Sequence, residues 1–540
     1  MRSIPLKLKS IKYPYLNLGL FMAYFLTVDA GTGSGRAIIF DTAGKQISIS
    51  QQEWSHLSEE GVANSMGFDT QTNWDIISKC IQEAIFSARI SASEIKAVTA
   101  TSMREGIVLY DKDNNELFGM ANVDARADKE VSFINKNYPG LEKEFYDISG
   151  QTFALGAIPR LMWVKNNKPE IYEKTKNISM ISDWVLAKLS NVIASDPSNA
   201  GTTGVFSLAT RQWDKAMASK LDIKDEIFPP VYETGTQIGE VTAEASKQTG
   251  LAKGTPVIMG GGDVQLGSAG LGVVETNRVA ILGGTFWQQL VNMDKPLVHP
   301  NMDIRINPHV IEGISQAEGI SFFSGMVMRW FRDVFCESEV LEAQKRGMDP
   351  YSLLEELASK VPAGSNGILP IFSDTMKYGK WYHAAPSFLN LSLDTEKSSK
   401  AAMFRSLEEN AAIVSMLNLE SIFTFTGVQT DSITFAGGAS KGELWSQILA
   451  DVTQKEIKIP RVNEATALGG AFACGVATGE YDSIAQASKA LIQWEKTYTP
   501  NTQNKELYQN VASKWKEAYA SSLKLVDNGV TTSMWKAPGL

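Results

Sequence analysis

The stretch Val28-Asp29-Ala30-Gly31-Thr32-Gly33-Ser34-Gly35-Arg36 decides the fold predicted for this chain. An apolar run, residues 23–28, leads into it, and a second apolar run, residues 37–40, follows it. Apolar runs on either side of a short glycine-rich turn are typical of a β-hairpin. Glycines let the backbone approach a ligand closely and turn its amide groups toward an anion. We therefore expect a strand–turn–strand unit that can bind phosphate.

The polar side chains of this turn strengthen that interpretation. Thr32 and Ser34 carry hydroxyl donors, and Arg36 carries a positive charge that suits an anion. Asp29, at the predicted end of the first strand, has the oxygen ligands that Mg²⁺ accepts, directly or through water. The sequence thus predicts a site for phosphates beside a magnesium ion. An ordinary glycine-rich hairpin is the alternative for this segment taken alone.

The composition limits the class of protein and its partners. At 540 residues the chain is longer than one hydrophobic core supports, so we expect two or more domains. Apolar residues make up 44% and charged residues 21%, a soluble balance, and the net charge of −9 argues against a nucleic-acid partner. Three distant cysteines, Cys80, Cys336 and Cys474, do not suit a disulfide framework and fit a reducing compartment.

The N-terminal segment imitates a secretion signal without completing one. Basic residues within residues 1–12 precede a fairly apolar run, residues 15–28. The run lacks a small-residue cleavage site, and its last part is the strand that ends in Asp29. It is also too short and too interrupted to cross a bilayer. We interpret residues 1–22 as a poorly ordered leader and expect a cytoplasmic protein without membrane contact.

Strand and helix patterns alternate from residue 23 to about residue 125. Apolar residues at Trp74, Ile77 and Ile81 predict a helix, and residues 95–101 predict a strand. That strand ends in Ser102-Met103-Arg104-Glu105-Gly106. Ligands of open sheets bind beyond the carboxyl ends of strands, so the Arg-Glu pair is a candidate for holding a polar ligand. A solvated surface ion pair is the alternative.

Two later polar clusters extend the candidate site. The first is Asn122-Val123-Asp124-Ala125-Arg126, which we expect in a loop beside the substrate. The second is Gly260-Gly261-Gly262-Asp263-Val264-Gln265, which follows a short buried-strand pattern and opens a helix. Asp263 is there either as a helix cap or as a carboxylate that a hydroxyl substrate can reach.

A second hairpin pattern indicates a duplicated architecture. Residues 279–282 are apolar, Gly283-Gly284-Thr285 form a turn, and apolar residues resume at Phe286. This repeats the first hairpin about 250 residues later. We expect one lobe over residues 23–265 and a second over residues 266–540. Neither turn is a P-loop, since the GxxxxGK[ST] pattern does not occur.

Further patterns place helices in the second lobe. Met326, Trp330 and Val334 share a helical spacing, and we expect them in the core. A strand at residues 432–436 leads into Gly437-Gly438-Ala439-Ser440, where bare backbone lets a flat ring such as adenine lie close. Ser440 and Glu443 fit a capping box for the helix that follows. Residues 464–475 are rich in Ala and Gly, which suits a helix packed closely against a neighbour.

Taken together and in this order, the motifs resemble those of the FGGY carbohydrate kinases, relatives of glycerol kinase and xylulose kinase. The segments that carry the resemblance are residues 29–36, 261–263, 282–285 and 437–441, and it covers nearly all of residues 23–540. It implies an α/β fold of two ribonuclease-H-like, actin-like lobes with ATP in the cleft between them.

The resemblance also implies a role for each motif. Asp263 would orient and deprotonate the attacking hydroxyl, and Asp29 would hold Mg²⁺ together with Asp263. The residues implied to bind the phosphates and the adenosine are Gly31, Thr32, Gly33, Ser34, Arg36, Gly284, Thr285, Gly437, Gly438 and Ala439. Those implied to bind the substrate are Met103, Arg104, Glu105, Asp124, Asp263 and Gln265.

Five further segments narrow the expected substrate: residues 102–110, 122–127, 283–289, 381–388 and 535–540. They are similar to the FGGY members that phosphorylate the terminal hydroxyl of linear 4,5-dihydroxy-2,3-pentanedione, a quorum-sensing signal. Met103 stands where glycerol kinases place a Gln, which argues against glycerol. A kinase for another small sugar or polyol is one alternative. An actin- or chaperone-like ATP switch is another, although Arg104, Glu105 and Asp124 suit a polyol pocket better.

Related glycerol kinases are controlled by sugar-phosphotransferase proteins, so the resemblance also implies a possible partner of that kind; the oligomeric state stays open.

Overall fold

The computed structural model describes residues 23–540, and the predicted leader, residues 1–22, lies outside the described residues. The strands are β1 (Tyr24–Ala30), β2 (Ser34–Asp41), β3 (Gln46–Glu53), β4 (Ile95–Ser102), β5 (Ile107–Tyr110), β6 (Glu116–Met120), β7 (Asn177–Met180), β8 (Phe206–Ser207), β9 (Gln212–Trp213), β10 (Gln237–Glu240), β11 (Pro256–Gly262), β12 (Val279–Gly283), β13 (Trp287–Met293), β14 (Arg305–Pro308), β15 (Ser315–Ser321), β16 (Leu369–Ile371), β17 (Ser387–Leu389), β18 (Ser432–Ala436), β19 (Glu456–Pro460) and β20 (Trp494–Tyr498).

Helices connect these strands and cover the sheets. They are α1 (Thr70–Ala88), α2 (Asp128–Asn137), α3 (Leu141–Ser149), α4 (Ala157–Asn167), α5 (Pro169–Lys174), α6 (Ile181–Ser190), α7 (Pro197–Ala200), α8 (Lys215–Ser219), α9 (Ala243–Thr249), α10 (Asp263–Gly270), α11 (Ser324–Phe335), α12 (Glu337–Arg346), α13 (Pro350–Ala358), α14 (Lys400–Thr426), α15 (Glu443–Thr453), α16 (Ala465–Ala477), α17 (Ile484–Leu491) and α18 (Lys505–Asp527).

The first lobe is built on a sheet with the strand order β10-β11-β4-β1-β2-β3. β2 runs antiparallel to both β1 and β3, whereas β1, β4 and β11 are parallel. Every residue of β1 is buried, because helices cover both faces of the sheet. The predicted hairpin is therefore present, and its register places Asp29 opposite Arg36.

The second lobe repeats this topology. Its sheet has the order β14-β15-β13-β12-β18-β19-β20, in which β13 is antiparallel to β12 and to β15, and β12, β18 and β19 are parallel. The inner strands β15-β13-β12-β18-β19 thus match β3-β2-β1-β4-β11 in order and direction. This confirms the predicted pair of ribonuclease-H-like lobes.

Two helices, α10 and α16, form the layer between the lobes. They pack on each other closely, because a Cβ on Gly469 would lie 2.0 Å from the carbonyl oxygen of Leu266. α16 also lies on the first sheet, where the Thr27 hydroxyl donates to the carbonyl oxygen of Ala467 over 2.9 Å. The chain passes from the first sheet to the second through α10, so the predicted boundary at residues 265 and 266 falls inside this helix.

The prediction for the core face of α11 was wrong. Met326, Trp330 and Val334 are exposed by 44, 39 and 58%, whereas Val327 and Phe331 face the core. Both sets have the four-residue spacing of a helix face, so spacing alone could not choose between them.

The predicted capping box of α15 is also absent. Gly442 is the capping residue, and the Ser440 hydroxyl donates to the carbonyl oxygen of Gly437 over 2.8 Å. A carboxylate oxygen from another helix, Oε1 of Glu355, accepts from the Trp445 amide at 3.4 Å instead. Among the helices of residues 23–540, none is long and apolar enough to cross a membrane.

Candidate active site

The turn between β1 and β2 is exposed at its tip and fixed in shape by hydrogen bonds. The Gly31 amide donates to the carbonyl oxygen of Ser34 at 3.0 Å, and Nδ2 of Asn122 donates to the Thr32 hydroxyl at 3.0 Å. Thr32 and Gly33 are both exposed. The turn is thus fixed in shape while its tip can still meet a ligand.

The buried Asp29 and the partly buried Arg36 form an ion pair beneath this turn. Arg36 donates to the carboxylate of Asp29 and, through Nη1, to Oε2 of Glu464 at 2.9 Å. Burial raises the pKa of Asp29 more than the neighbouring Arg36 lowers it. Arg36 therefore neutralises the carboxylates of Asp29 and of Glu464, which precedes α16. A role of Arg36 in binding phosphate stays a prediction.

Asp263 is the first residue of α10 and sits where β11 ends. Its side chain is 40% exposed, and Oδ1 lies 3.9 Å from Nε of Arg104. Desolvation raises the pKa of Asp263 to about 7; Arg104 opposes this shift, and Asp29 and Glu105 add to it. A carboxylate with this pKa can take a proton from a substrate hydroxyl near neutral pH.

Arg104 is fixed by a partner from the other lobe. Nη1 and Nη2 of Arg104 each donate to a carboxylate oxygen of Glu318 at 2.8 Å, and both side chains are buried. Asn307 donates to the same carboxylate at 2.8 Å. Burial raises the pKa of Glu318, but Arg104 outweighs it and the net pKa is lowered. Glu318 was missed at the sequence level, because a lone Glu in a strand carries no signal of its distant partner.

Glu105 is held in an uncommon backbone conformation beside Arg104. Its φ is 67°, which only a few per cent of non-glycine residues adopt, usually at functional positions. Its carboxylate pairs with Arg305 of β14, whose Nε donates to Oε1 of Gln151 at 2.9 Å. The hydroxyl of Tyr378 donates to the same oxygen at 3.2 Å. Arg305 and Tyr378 thus join the candidate substrate site, and no sequence motif indicated either.

Three predicted substrate residues, Met103, Asp124 and Gln265, are buried. The carboxylate of Asp124 accepts from the Met66 amide at 2.6 Å and from the guanidinium of Arg126. Met103 packs in the core of the first lobe. Gln265 donates to Oε1 of Gln316 at 3.2 Å, and its own Oε1 has no donor among residues 23–540. Contact between these residues and a substrate stays a prediction.

The second hairpin borders a cavity of about 400 Å³ in the second lobe. The carbonyl oxygen of Thr285 accepts from the amide of Gly325 at 3.1 Å, which fixes the hairpin against the start of α11. Gly437 has a φ of 100°, and a Cβ there would lie 2.7 Å from the carbonyl oxygen of Gly283. The lining residues include four of the predicted nucleotide residues: Gly284, Thr285, Gly438 and Ala439.

Asp29 and Asp263 suit a magnesium ion. The two carboxylates are close enough that the charge of Asp29 raises the pKa of Asp263, a repulsion that a divalent cation would relieve. Mg²⁺ uses one or two carboxylates together with water and substrate phosphates rather than an all-protein cage. Residues 23–540 contain no cluster of three or more His, Cys, Asp or Glu that could form such a cage.

Comparison with known sequences decides the family. The family model for the N-terminal domain of the FGGY family of carbohydrate kinases matches residues 24–270, and the model for the C-terminal domain of that family matches residues 289–478. The chain belongs to the FGGY family of carbohydrate kinases. FGGY membership makes it an ATP-dependent carbohydrate kinase and decides against the alternative of an actin- or chaperone-like switch.

Individual FGGY relatives match nearly the whole chain. The autoinducer-2 kinase of Klebsiella pneumoniae subsp. pneumoniae is 55% identical over 96% of this chain and 98% of its own length. The autoinducer-2 kinase of Yersinia enterocolitica is 55% identical over the same shares. Among solved structures, xylulose kinase from Lactobacillus acidophilus has a TM-score of 0.82 at 20% identity and covers 92% of this chain and 98% of that one. Plasmodium falciparum glycerol kinase with ADP has a TM-score of 0.80 at 17% identity over the same shares. These two structures support the fold alone.

Proposed function

We propose that this kinase transfers the γ-phosphoryl group of ATP to the terminal hydroxyl of linear 4,5-dihydroxy-2,3-pentanedione and so produces phospho-autoinducer-2 for quorum sensing. The observation that carries the proposal is the 55% identity to autoinducer-2 kinases over 96% of the chain. The site agrees with it, since a carboxylate of suitable pKa lies beside a buried arginine, and each lobe carries a glycine-rich hairpin suited to phosphate.

The chain's own residues account for the transfer. Phosphoryl transfer needs mainly positioning and charge stabilisation. Arg104, fixed by Glu318, lies 3.9 Å from the carboxylate of Asp263 and favours its ionised form, and this carboxylate accepts the proton of the attacking hydroxyl. The turns at Thr32 and Thr285 face the phosphates from opposite lobes, so closing the cleft excludes water that would otherwise hydrolyse ATP. Asp29 and Asp263 would hold a Mg²⁺ ion, which when bound would supply positive charge to the phosphates.

A substrate panel tests the proposal. We expect ATP-dependent phosphorylation of 4,5-dihydroxy-2,3-pentanedione to exceed that of xylulose and glycerol in a coupled assay of ADP release. A preference for xylulose or glycerol would overturn the substrate and leave the family intact.

The role of Asp263 has its own test. Asp263→Asn should lower kcat by roughly 10²–10⁴-fold, the usual contribution of a general base, because an amide cannot accept the proton. The affinity for ATP, measured by calorimetry, should change little. A variant that retains ordinary turnover would remove Asp263 from the mechanism.

Two further statements complete the proposal. We place the kinase in the cytoplasm, which agrees with its ATP dependence and with the free, buried Cys80, Cys336 and Cys474. A sugar-phosphotransferase protein as regulator stays a prediction from the family resemblance, and binding of a phosphocarrier protein to the purified kinase would test it.

A further inference from the structure

Two acidic side chains at the 400 Å³ cavity have no role in the mechanism above. Glu355 lies on α13 and Glu408 on α14, and both line the cavity that also contains Gly438 and Ala439. Glu408 is fully buried, and among the described residues its carboxyl group has no basic or amide partner and faces another acid, Glu355. Glu355 is half-buried, so its carboxylate can meet a ligand in the cavity. Buried acids without partners are rare and need an explanation.

The position of Glu355 is fixed by the start of α15. Its Oε1 accepts from the Trp445 amide at 3.4 Å. A Cβ on Gly442 would lie 2.1 Å from the same oxygen, so a side chain at this position would displace the carboxylate from its present place. Trp445 makes a second hydrogen bond, in which its indole Nε1 donates to the backbone carbonyl of Glu408 at 3.0 Å. The acid is thus part of a built wall of the cavity.

The pKa shifts of Glu355 and Glu408 explain how two acids can lie side by side at this cavity. Burial raises the pKa of Glu408 well above its usual range, and the neighbouring Glu355 raises it further. Burial also raises the pKa of Glu355, although amide hydrogen bonds from α15 oppose this. Two close carboxyl groups in such a place share one proton. With the proton on Glu408, the side chain of Glu355 presents only hydrogen-bond acceptors to the cavity.

The remaining walls suit a flat aromatic ring. Phe404, Trp445 and Met328 are buried side chains that line the same cavity, and Tyr351 is half-buried beside them. The bare backbone at Gly438 forms another wall. A flat ring stacked between these walls would turn its edge toward Glu355. That edge must carry a hydrogen-bond donor, because the carboxylate would otherwise be left without a hydrogen-bond partner from the ligand.

We propose that Glu355 accepts a hydrogen bond from the exocyclic amino group of adenine and thereby selects ATP over purine nucleotides with an oxo group at that position. The inference deepens the proposed function, because it assigns the base specificity of the donor site. ITP and GTP place an acceptor oxygen where ATP has its amino group, and this oxygen would face an acceptor-only carboxylate. Sites built around a buried polar group discriminate strongly against ligands that leave it unpaired.

Direct binding of nucleotides tests the inference without any sugar substrate. In calorimetry with the full-length protein we expect ATP to bind roughly ten- to hundredfold more tightly than ITP or purine riboside triphosphate, the range of a hydrogen bond to a charged group. In Glu355→Gln the ratio of ATP to ITP affinity should fall close to one, because the amide can turn to offer either a donor or an acceptor. Equal affinity of the unmodified protein for ATP and ITP would overturn the inference.

The alternative role of Glu355, a cap for α15 alone, gives a different result. A cap predicts that Glu355→Gln lowers thermal stability and leaves the ratio of ATP to ITP affinity unchanged, which would refute base reading. Glu356→Gln is the matched control, since Glu356 is the next residue, is exposed and pairs with Arg346 and Lys360 at the surface; it should keep the ratio of the unmodified protein. Failure of the kinase on 4,5-dihydroxy-2,3-pentanedione would appear in the substrate panel and would not alter these ratios.

Discussion

Removing the charge of Arg104 should move the pH dependence of catalysis to higher pH. The guanidinium lies 3.9 Å from the carboxylate of Asp263 and stabilises its ionised form. At about 4 Å two unit charges interact by ~1 kcal/mol in water and by ~4 kcal/mol at the effective dielectric constant near a protein surface. The side chain of Asp263 is 40% exposed, so solvent screens this interaction and its energy lies toward the lower of the two values.

The expected shift follows from that energy. An interaction of about 1–2 kcal/mol corresponds to roughly one pKa unit. Loss of Arg104 raises the pKa of Asp263 further above its present value of about 7, because the protonated form is no longer disfavoured by a neighbouring cation. As the proposed base, Asp263 must be ionised to accept a proton, so the acidic limb of kcat/KM for the sugar substrate should move up by about one pH unit.

The choice of variants separates this effect from misfolding. Arg104→Gln alone leaves the buried carboxylate of Glu318 without a partner, which costs ~3–5 kcal/mol of folding stability. The double variant Arg104→Gln/Glu318→Gln removes both charges, leaves no buried charge unpaired between them, and is the one to assay against the unmodified protein. Measurable turnover in the double variant with an unmoved acidic limb would refute Arg104 as the neighbour that sets the pKa of Asp263.

Three further predictions concern the nucleotide site, α11 and α16. Gly437→Ala should weaken ATP binding at least tenfold in calorimetry, because the residue has a φ of 100° and its new Cβ would lie 2.7 Å from a carbonyl oxygen; unchanged affinity would contradict the geometry. Phe331→Ala should cost ~3–5 kcal/mol of stability in urea unfolding, whereas Trp330→Ser should cost much less, since only Phe331 is fully buried. The reverse order would mean that the helix faces the other way. Gly470→Val should destabilise the packing of α16 on the first sheet, where a Cβ already meets Thr27 at 2.6 Å; an unchanged urea midpoint would refute that close approach.

The parts of the molecule that follow from local pattern were predictable. Both hairpins stand where apolar runs flank glycine-rich turns, because strand and turn preferences act over a few residues. Asp263 was placed at a strand end for the same reason.

Contacts between distant residues were not predictable. Glu318 reaches Arg104 across 214 residues of sequence, and Arg305 reaches Glu105 across 200. Neither strand carries a motif, so only the assembled lobes reveal that these charges pair. The face of α11 was ambiguous for another reason, since two sets of apolar residues on it satisfy the same helical period.

The placement of α16 on the first sheet has a consequence for biosynthesis. Thr27 and Ala467, which bond at 2.9 Å, are separated by 440 residues. A ribosome adding roughly 5–20 residues per second needs on the order of 20–90 s to cover that distance. During this time the first sheet lacks the helix α16, so apolar side chains that α16 covers in the folded protein stay exposed in the emerging N-terminal half.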